Sequence, residues 1–155
     1  MIDRIKTHKA PEALGTYSQG SRVGNLVFTS GQIGINPKTG NLITENFQDE
    51  VLQVLKNVNA VLKAGGSSVN ELIKVTVFIK NMSNFKAVND VFSLYFDNDY
   101  PARSLVEVPD LPAGANIEIL PASGDGGYAA VLSGGGSFEM ALPAGEYKVR
   151  ASRTG

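Results

Sequence analysis

The sequence predicts an α+β fold in which a mixed β-sheet carries two helices packed on one face. Two segments, 46–63 and 83–96, repeat apolar residues at the three- and four-residue spacing of amphipathic helices. Around them lie short strand-like runs, giving the order strand, strand, helix, strand, helix, strand, strand. A helix between two strands supplies the long crossover that parallel neighbours require. Both parallel and antiparallel pairs are therefore expected.

The first two predicted strands cover 5–9 and 26–33. The second is rich in β-branched and aromatic residues, which favour strands. Gly31, near its end, indicates either a bulge or the close approach of another group to the backbone. A turn over 36–40, with the sequence Asn-Pro-Lys-Thr-Gly, separates this strand from the first helix.

Capping residues set the limits of the two predicted helices. Asn46 is a good N-cap for the first helix, and the glycine pair 65–66 ends it. The strand 71–80 follows, with clean alternation of apolar side chains. Ser83 is expected to cap the second helix, which ends in the polar stretch 97–101.

The last two predicted strands, 101–108 and 117–119, are joined by a turn at 111–114. Side chains alternate between the two faces of a strand. If the branched residues meet in the core, Arg103 and Glu118 lie together on the opposite face. A fixed cation beside a carboxylate is a site for a small molecule that carries its own carboxylate.

The sheet face without helices is expected to be partly apolar. Phe78, Leu105 and Leu120 are predicted to lie there among polar residues. Apolar side chains on an uncovered face mark a surface for a partner, and a symmetric oligomer is the simplest solution.

Composition excludes several kinds of chemistry. The chain has 155 residues, no cysteine and one histidine, so disulfides, thiolate catalysis and multi-histidine zinc sites are not expected. Fourteen basic and fifteen acidic residues give a net charge of −1, which makes nucleic acid an unlikely partner. No apolar run is long enough to cross a membrane, and a cytoplasmic location is the default expectation.

The chain divides into residues 1–120 and a different segment, 121–155. The second segment begins with a Gly-rich linker and continues with a strand candidate at 128–132 and a hairpin-like pattern around 143–145. An isolated hairpin is marginal in water, so this extension is expected to dock on the main domain or on a neighbouring subunit. Higher-order assembly through it is one possibility.

Seven short segments of residues 1–120 match one known family in its own order. They are GTYSQG at 15–20, SGQI at 30–33, NPKTG at 36–40, VTVFIK at 75–80, VN at 88–89, PARS at 101–104 and IEI at 117–119. By these segments the chain resembles the RidA/YjgF/UK114 family of enamine and imine deaminases. The resemblance implies a chorismate-mutase-like, YjgF-type fold and a homotrimer with pockets between subunits. It also implies hydrolysis of 2-imino or enamino acids to 2-keto acids and ammonia, with no metal or organic cofactor.

The resemblance assigns catalytic roles to Arg103 and Glu118. Arg103 would grip the substrate carboxylate with the two-pronged geometry of a guanidinium. Glu118 would orient the attacking water and move protons. On the residues alone, an ordinary structural ion pair and a solvated strand glutamate are equally open readings.

Four further residues are expected to bind substrate. By resemblance, Tyr17 closes the pocket wall, Gly31 offers its carbonyl to the substrate nitrogen and Leu105 offers its backbone N–H to the carboxylate. Asn89 is the fourth, and it lies on the second helix among residues of the apolar stripe. The alternatives are a core aromatic for Tyr17, a bulge glycine for Gly31 and a structural asparagine for Asn89.

The chain also departs from the family pattern, at Thr16, Pro109 and Leu120, and over 121–155. Two other functions therefore stay open. One is the ribonuclease or translation-inhibitor activity of some relatives. The other is a trimeric assembly scaffold, natural or engineered, with the extension as its interaction element.

Overall fold

The computed structural model describes residues 1–124. They form one mixed sheet with two α-helices, as the sequence predicts. The strand order is β1-β2-β3-β7-β5-β6, and β4 also pairs with β7. The rest of the predicted linker, the strand candidate at 128–132 and the predicted hairpin lie outside the described residues. The elements are β1 Ile2–Ile5, β2 Gly20–Val23, β3 Leu26–Thr29, β4 Gln32–Ile33, α1 Phe47–Ala64, β5 Leu72–Ile79, α2 Phe85–Phe96, β6 Ala102–Glu107 and β7 Ile117–Ser123.

Strand β7 lies at the centre of the sheet. It is antiparallel to β3 and β4 along one edge and to β5 along the other. β5 and β6 are parallel neighbours, and α2 makes the crossover between them. Helix α1 connects β4 to β5, so its crossover passes over β7.

Helix α1 begins and ends as its capping residues predict. The Asn46 side chain accepts a hydrogen bond from the Gln48 backbone N–H at 2.8 Å. At the other end, Gly65 donates to the carbonyl groups of the last turn, and Gly66 adopts a φ of +79° that favours glycine. Six apolar side chains of α1 are almost fully buried: Val51, Val54, Leu55, Val58, Val61 and Leu62.

The core lies between the helices and one face of the sheet. β5 contributes Val75, Val77 and Ile79, and β7 contributes Ile117 and Ile119, all with no exposed surface. These residues meet the apolar stripe of α1 and the aromatic side chains of α2. Burial of this one face is the main source of stability for the described domain.

Several predicted boundaries are wrong near the N-terminus and at α2. β1 is Ile2–Ile5 rather than 5–9, and β2 was not predicted. The second helix begins at Phe85 after a 3-10 turn, Met82–Asn84, in which the Asn81 side chain accepts from the Ser83 N–H. The Ser83 backbone N–H is therefore capped by the Asn81 side chain, and Ser83 does not cap the second helix as predicted.

The predicted boundary at 120 also falls inside a strand. β7 continues to Ser123, which pairs with Val27 of β3 and Leu72 of β5. The Gly124 N–H then donates to the Glu71 carbonyl. Residues 121–123 are thus part of the sheet and not of a linker, because both neighbouring strands still offer them backbone partners.

Arg103 and Glu118 lie on opposite faces of the sheet, so the prediction that they share a face is wrong. Arg103 pairs with the buried Val75 and faces the helices. Glu118 pairs with Phe78 on the other face. The prediction failed because each face of β6 carries one branched apolar residue, so the sequence does not reveal which face is buried. Leu105 packs against the core, which also corrects its predicted place on the uncovered face, whereas Val106 is 44% exposed.

The second face of the sheet carries no helix in the described part of the chain. Leu26, Phe28 and Val106 are exposed on it, and Phe78 and Leu120 are partly buried there. Among residues 1–124, no helix is both long enough and apolar enough to span a membrane.

Candidate functional site

A bulge between β3 and β4 brings the backbone at Gly31 against the Glu118 side chain. From Phe28 to Gln32 is four residues, whereas their partners on β7, Ala122 and Ile119, are three apart. One extra residue therefore lies in the interrupted strand, as in a β-bulge. A Cβ atom added at Gly31 would overlap the Glu118 carboxylate, with Oε1 as its nearest neighbour. Gly31 thus combines both predicted possibilities, a bulge and a close approach.

A groove of about 790 Å³ opens beside this contact. Tyr17, Gly31 and Glu118 line it together with Ser30 and Gln32. Tyr17 is 54% exposed, so it is a wall residue and not a core aromatic. The structure therefore brings three of the predicted site residues into one cavity.

The buried side chain of Gln19 fixes the loop that carries Tyr17. Its amide nitrogen donates to the carbonyl groups of Thr7 and Pro11 at 2.9 and 2.7 Å, and its oxygen accepts from the Thr7 N–H. The Ser30 hydroxyl then donates to the Ser18 carbonyl at 2.6 Å, which joins the loop to the bulge. Gln19 was not predicted to have a role, and its place inside the GTYSQG segment was the available signal.

The carboxyl group of Glu118 is partly buried, and this burial raises its pKa above the ordinary value. Within residues 1–124 no cation forms a salt bridge with it. A carboxyl group with a raised pKa exchanges protons more readily near neutral pH, which suits a general acid and base. Glu12 is a second carboxylate on the groove wall, and it pairs with His8 at 3.8 Å.

Arg103 lies in a separate place, on the face covered by α2. Its Nη2 donates to Asn89 Oδ1 at 2.8 Å. The guanidinium also sits over the ring of Phe92, 5.1 Å from the centroid, and 5.8 Å from that of Phe85. Burial lowers the pKa of Arg103 from its very high ordinary value. In the described residues no carboxylate forms a salt bridge with it.

The predicted site residues therefore form two groups. Tyr17, Gly31 and Glu118 share the groove. Arg103 and Asn89 are hydrogen-bonded on the other side of the sheet, and Leu105 follows on the same face of β6. One group holds a partly buried carboxyl group beside a tight backbone contact, and the other holds a guanidinium whose neighbours are an amide oxygen and two aromatic rings. No cluster of three or more metal-binding side chains occurs in residues 1–124.

The fold belongs to the class of α+β proteins that have one mixed sheet and both helices on the same face. Residues 7–121 match the family described as Endoribonuclease L-PSP. A 2-iminobutanoate/2-iminopropanoate deaminase from Dermatophagoides farinae is 44% identical over 115 residues, which cover 74% of this chain and 90% of the relative. The chain belongs to this family, which is also called the RidA/YjgF family.

Two further relatives support the same assignment. A RutC family protein from Pyrococcus horikoshii is 45% identical over 119 residues, which span 77% of this chain and 94% of that protein. The crystal structure of E. coli TdcF with bound serine superposes with a TM-score of 0.76 at 41% identity, covering 79% of this chain and 98% of that one.

Proposed function

We propose that this chain hydrolyses reactive 2-imino and enamino acids, of the 2-iminobutanoate and 2-iminopropanoate type, to 2-keto acids and ammonia. The observation that carries the proposal is the environment of the Arg103 guanidinium. Its guanidinium is partly buried, and its neighbours are an amide oxygen and two aromatic rings. A partly desolvated cation that has no salt bridge within the described chain is well suited to bind a carboxylate from outside.

The proposed chemistry needs one proton-transfer group and water. In the imino acid R–C(=NH)–COO⁻, water adds to the C=N carbon while Glu118 accepts its proton. The same group then returns the proton to nitrogen, which gives a carbinolamine. Glu118 next moves the hydroxyl proton to the amino nitrogen, and ammonia leaves as the C=O bond forms. An enamino acid first takes a proton on carbon to become the imine. The raised pKa of Glu118 supports both directions of transfer.

Gly31 and Tyr17 would complete the groove side of the site. Because Gly31 has no side chain, its backbone lies against the Glu118 carboxylate. A substrate nitrogen next to Glu118 is therefore within reach of the Gly31 carbonyl. Tyr17 would cover the substrate from the exposed wall of the groove. Asn89 would hold the guanidinium in place, and the Leu105 backbone N–H would add a second bond to the carboxylate.

Arg103 and Glu118 of a single chain face opposite sides of the sheet. A substrate of only a few carbon atoms can touch both residues only when each comes from a different copy. We therefore propose a homotrimer whose pockets lie between subunits. The exposed apolar side chains of the uncovered sheet face, Leu26, Phe28 and Val106, support such an association.

The charge of the groove disfavours RNA as a substrate, although the family description names an endoribonuclease. Two carboxylates, Glu12 and Glu118, line the groove, and its described lining contains no lysine, arginine or histidine. In the proposed assembly Arg103 of another copy adds one cation, which suits a single carboxylate, whereas RNA binding depends on several cations that neutralise successive phosphates. The sequence as a whole carries a net charge of −1.

The proposal is tested by mixing two inactive variants. Arg103→Ala and Glu118→Gln each lack one half of the site, and each should hydrolyse imino acids very slowly on its own. Partial unfolding, mixing and refolding should create interfaces that combine both intact halves. Random assembly gives such an interface about one time in four, so roughly a quarter of wild-type activity should return.

Each variant, refolded alone, serves as the control. No recovery in a mixed oligomer would contradict the shared site. Slow hydrolysis by the wild-type chain itself, no faster than in buffer, would contradict the deaminase assignment.

A further inference from the structure

A buried carboxylate on α1 lies outside the site but contacts the segment that leads into it. Glu50, in the first turn of α1, is only 1% exposed. Its Oε1 accepts from the backbone N–H of Asn116 at 2.7 Å, and its Oε2 accepts from the side-chain Nδ2 of the same residue at 2.9 Å. Within residues 1–124 no cation forms a salt bridge with it.

The Glu50 side chain contacts the segments on both sides of the Gly31–Glu118 contact. Asn116 lies two residues before Glu118, and its carbonyl accepts from the Lys80 N–H, which fixes the start of β7. On the other side, Gly34 packs directly on Glu50, because a Cβ there would lie 2.6 Å from the Glu50 Cγ. Glu50 is therefore wedged between the strand that carries Glu118 and the segment that follows Gly31.

A second buried polar residue of α1 strengthens the same connection. Asn57, 1% exposed, donates through Nδ2 to the carbonyl groups of Ile33 and Ile35 at 2.9 and 2.8 Å. These carbonyl groups flank Gly34. Helix α1 thus holds the segment after the bulge at two points, and its Glu50 also hydrogen-bonds Asn116, the residue just before β7.

We propose that Glu50, through its pair of hydrogen bonds to Asn116, is a positioning residue for Glu118. This inference rests on the proposed function, in which Glu118 transfers protons. A shift of β7 by a fraction of an ångström would separate the Glu118 carboxylate from the water and the substrate nitrogen. Proton transfer is sensitive to such small displacements, whereas binding of the carboxylate by Arg103 of another copy is not.

A carboxylate is needed because Asn116 presents two donors. In Glu50→Gln the side chain keeps one acceptor oxygen and gains an N–H₂ group, so one of the two contacts becomes donor against donor. Asn116→Asp makes the opposite change and sets two carboxylates against each other. In the double variant the new amide can donate to the new carboxylate, while its oxygen accepts from the backbone N–H, and complementarity returns.

The test is a steady-state comparison of these three variants with an imino acid generated in situ, at a temperature where circular dichroism shows each to be folded. We expect Glu50→Gln to lower kcat by about tenfold or more with KM changed by less than about threefold. The double variant should recover kcat to within about threefold of wild type. Asp49→Asn, the same change at an exposed neighbour on α1, should leave kcat unaltered.

Two outcomes would overturn the inference: an unchanged kcat in folded Glu50→Gln, or a double variant no more active than the singles. If Glu50→Gln does not fold, Asn116→Ala replaces it, because it removes only the side-chain bond and should lower kcat by a few fold without changing KM. Wild-type protein in the same assay separates the two proposals. An inactive wild type refutes the deaminase function, whereas an active wild type with unaffected variants refutes only the role of Glu50.

Discussion

The two halves of the proposed site are built in different ways. Arg103 stands on a regular strand, and it is held by a hydrogen bond and two aromatic rings from one regular helix. Glu118 also stands on a strand, but its surroundings are a bulge and a loop held by the buried Gln19. Arg103, which would bind the substrate, thus depends on a few contacts between a regular strand and a regular helix. Glu118, which would transfer protons, depends on irregular backbone and on the hydrogen bonds of Gln19 that hold it.

This difference teaches where the site is vulnerable. Changes to Arg103 should remove a binding interaction and leave the rest of the domain intact. Changes around Glu118 should act through geometry as well, because the groove has little spare room at the Gly31 contact. Substitutions of single residues can separate the two kinds of effect.

The largest effect is expected for Glu118→Gln. The change keeps the shape of the side chain but removes its ability to accept and return a proton. Turnover should fall by about 10²–10⁴, the usual range for a lost general acid–base group. Keto acids such as pyruvate should still bind, because Arg103 is untouched. Glu12→Gln, on the same groove wall, is the matched control and should retain activity. Loss of pyruvate binding in parallel with turnover would mean that Glu118 supports binding instead of chemistry.

Arg103→Ala should have the next largest effect, a fall in kcat/KM of about 10²–10³, because a charge-assisted contact to the substrate carboxylate is lost. Arg103→Lys should restore little, since an ammonium group cannot form two parallel bonds to a carboxylate. Initial rates over a range of substrate concentration measure both. Arg4→Ala, an exposed arginine on β1, provides the control. Near-normal kcat/KM in folded Arg103→Ala would remove Arg103 from the site.

Gly31→Ala tests the tight contact in the groove half, and a loss of about tenfold to a hundredfold in kcat is expected. The new methyl group cannot share space with the Glu118 carboxylate, so that side chain must move. Gly15→Ala, in the loop before Tyr17, should be nearly silent because its Cβ would meet only the Tyr17 ring at 3.4 Å. Equal kcat values for the two alanine variants would show that the contact at Gly31 has no catalytic consequence.

The smallest effect concerns stability and pH. The pKa of Glu118 is raised in the folded state by burial, so its ionised form is disfavoured by folding. Above the folded pKa this carboxylate lowers stability relative to a neutral group, and below the unfolded pKa it does not. Glu118→Gln should therefore be more resistant to urea than wild type at pH 7, and the difference should vanish as the pH falls through the range of carboxyl titration. A variant less stable than wild type at pH 7 would contradict the assigned direction.

The sequence was sufficient for the existence of both helices, but not for the arrangement of the predicted site residues. Asn46 and the glycines at 65–66 limit α1 because caps are local chemistry. β2, with the sequence Gly-Ser-Arg-Val, lacks apolar alternation and so gave no signal. The face of Arg103 could not be read from β6, since Leu105 and Val106 are both apolar, and only the register with β5 decides it. The contribution of Gln19 depends on contacts with residues eight to twelve positions away, which no local pattern records.

The central place of β7 has a consequence for how the chain folds. The last strand of the described domain is the one that β3, β4 and β5 all pair with. During synthesis, β3 and β4 cannot be connected to β5 through β7 until residues 117–123 have left the ribosome. Such long-range pairing predicts slow folding for a domain of this size. Until β7 arrives, three strand edges stay open to the wrong partners, so a nascent chain that stalls before residue 117 is the form most exposed to aggregation.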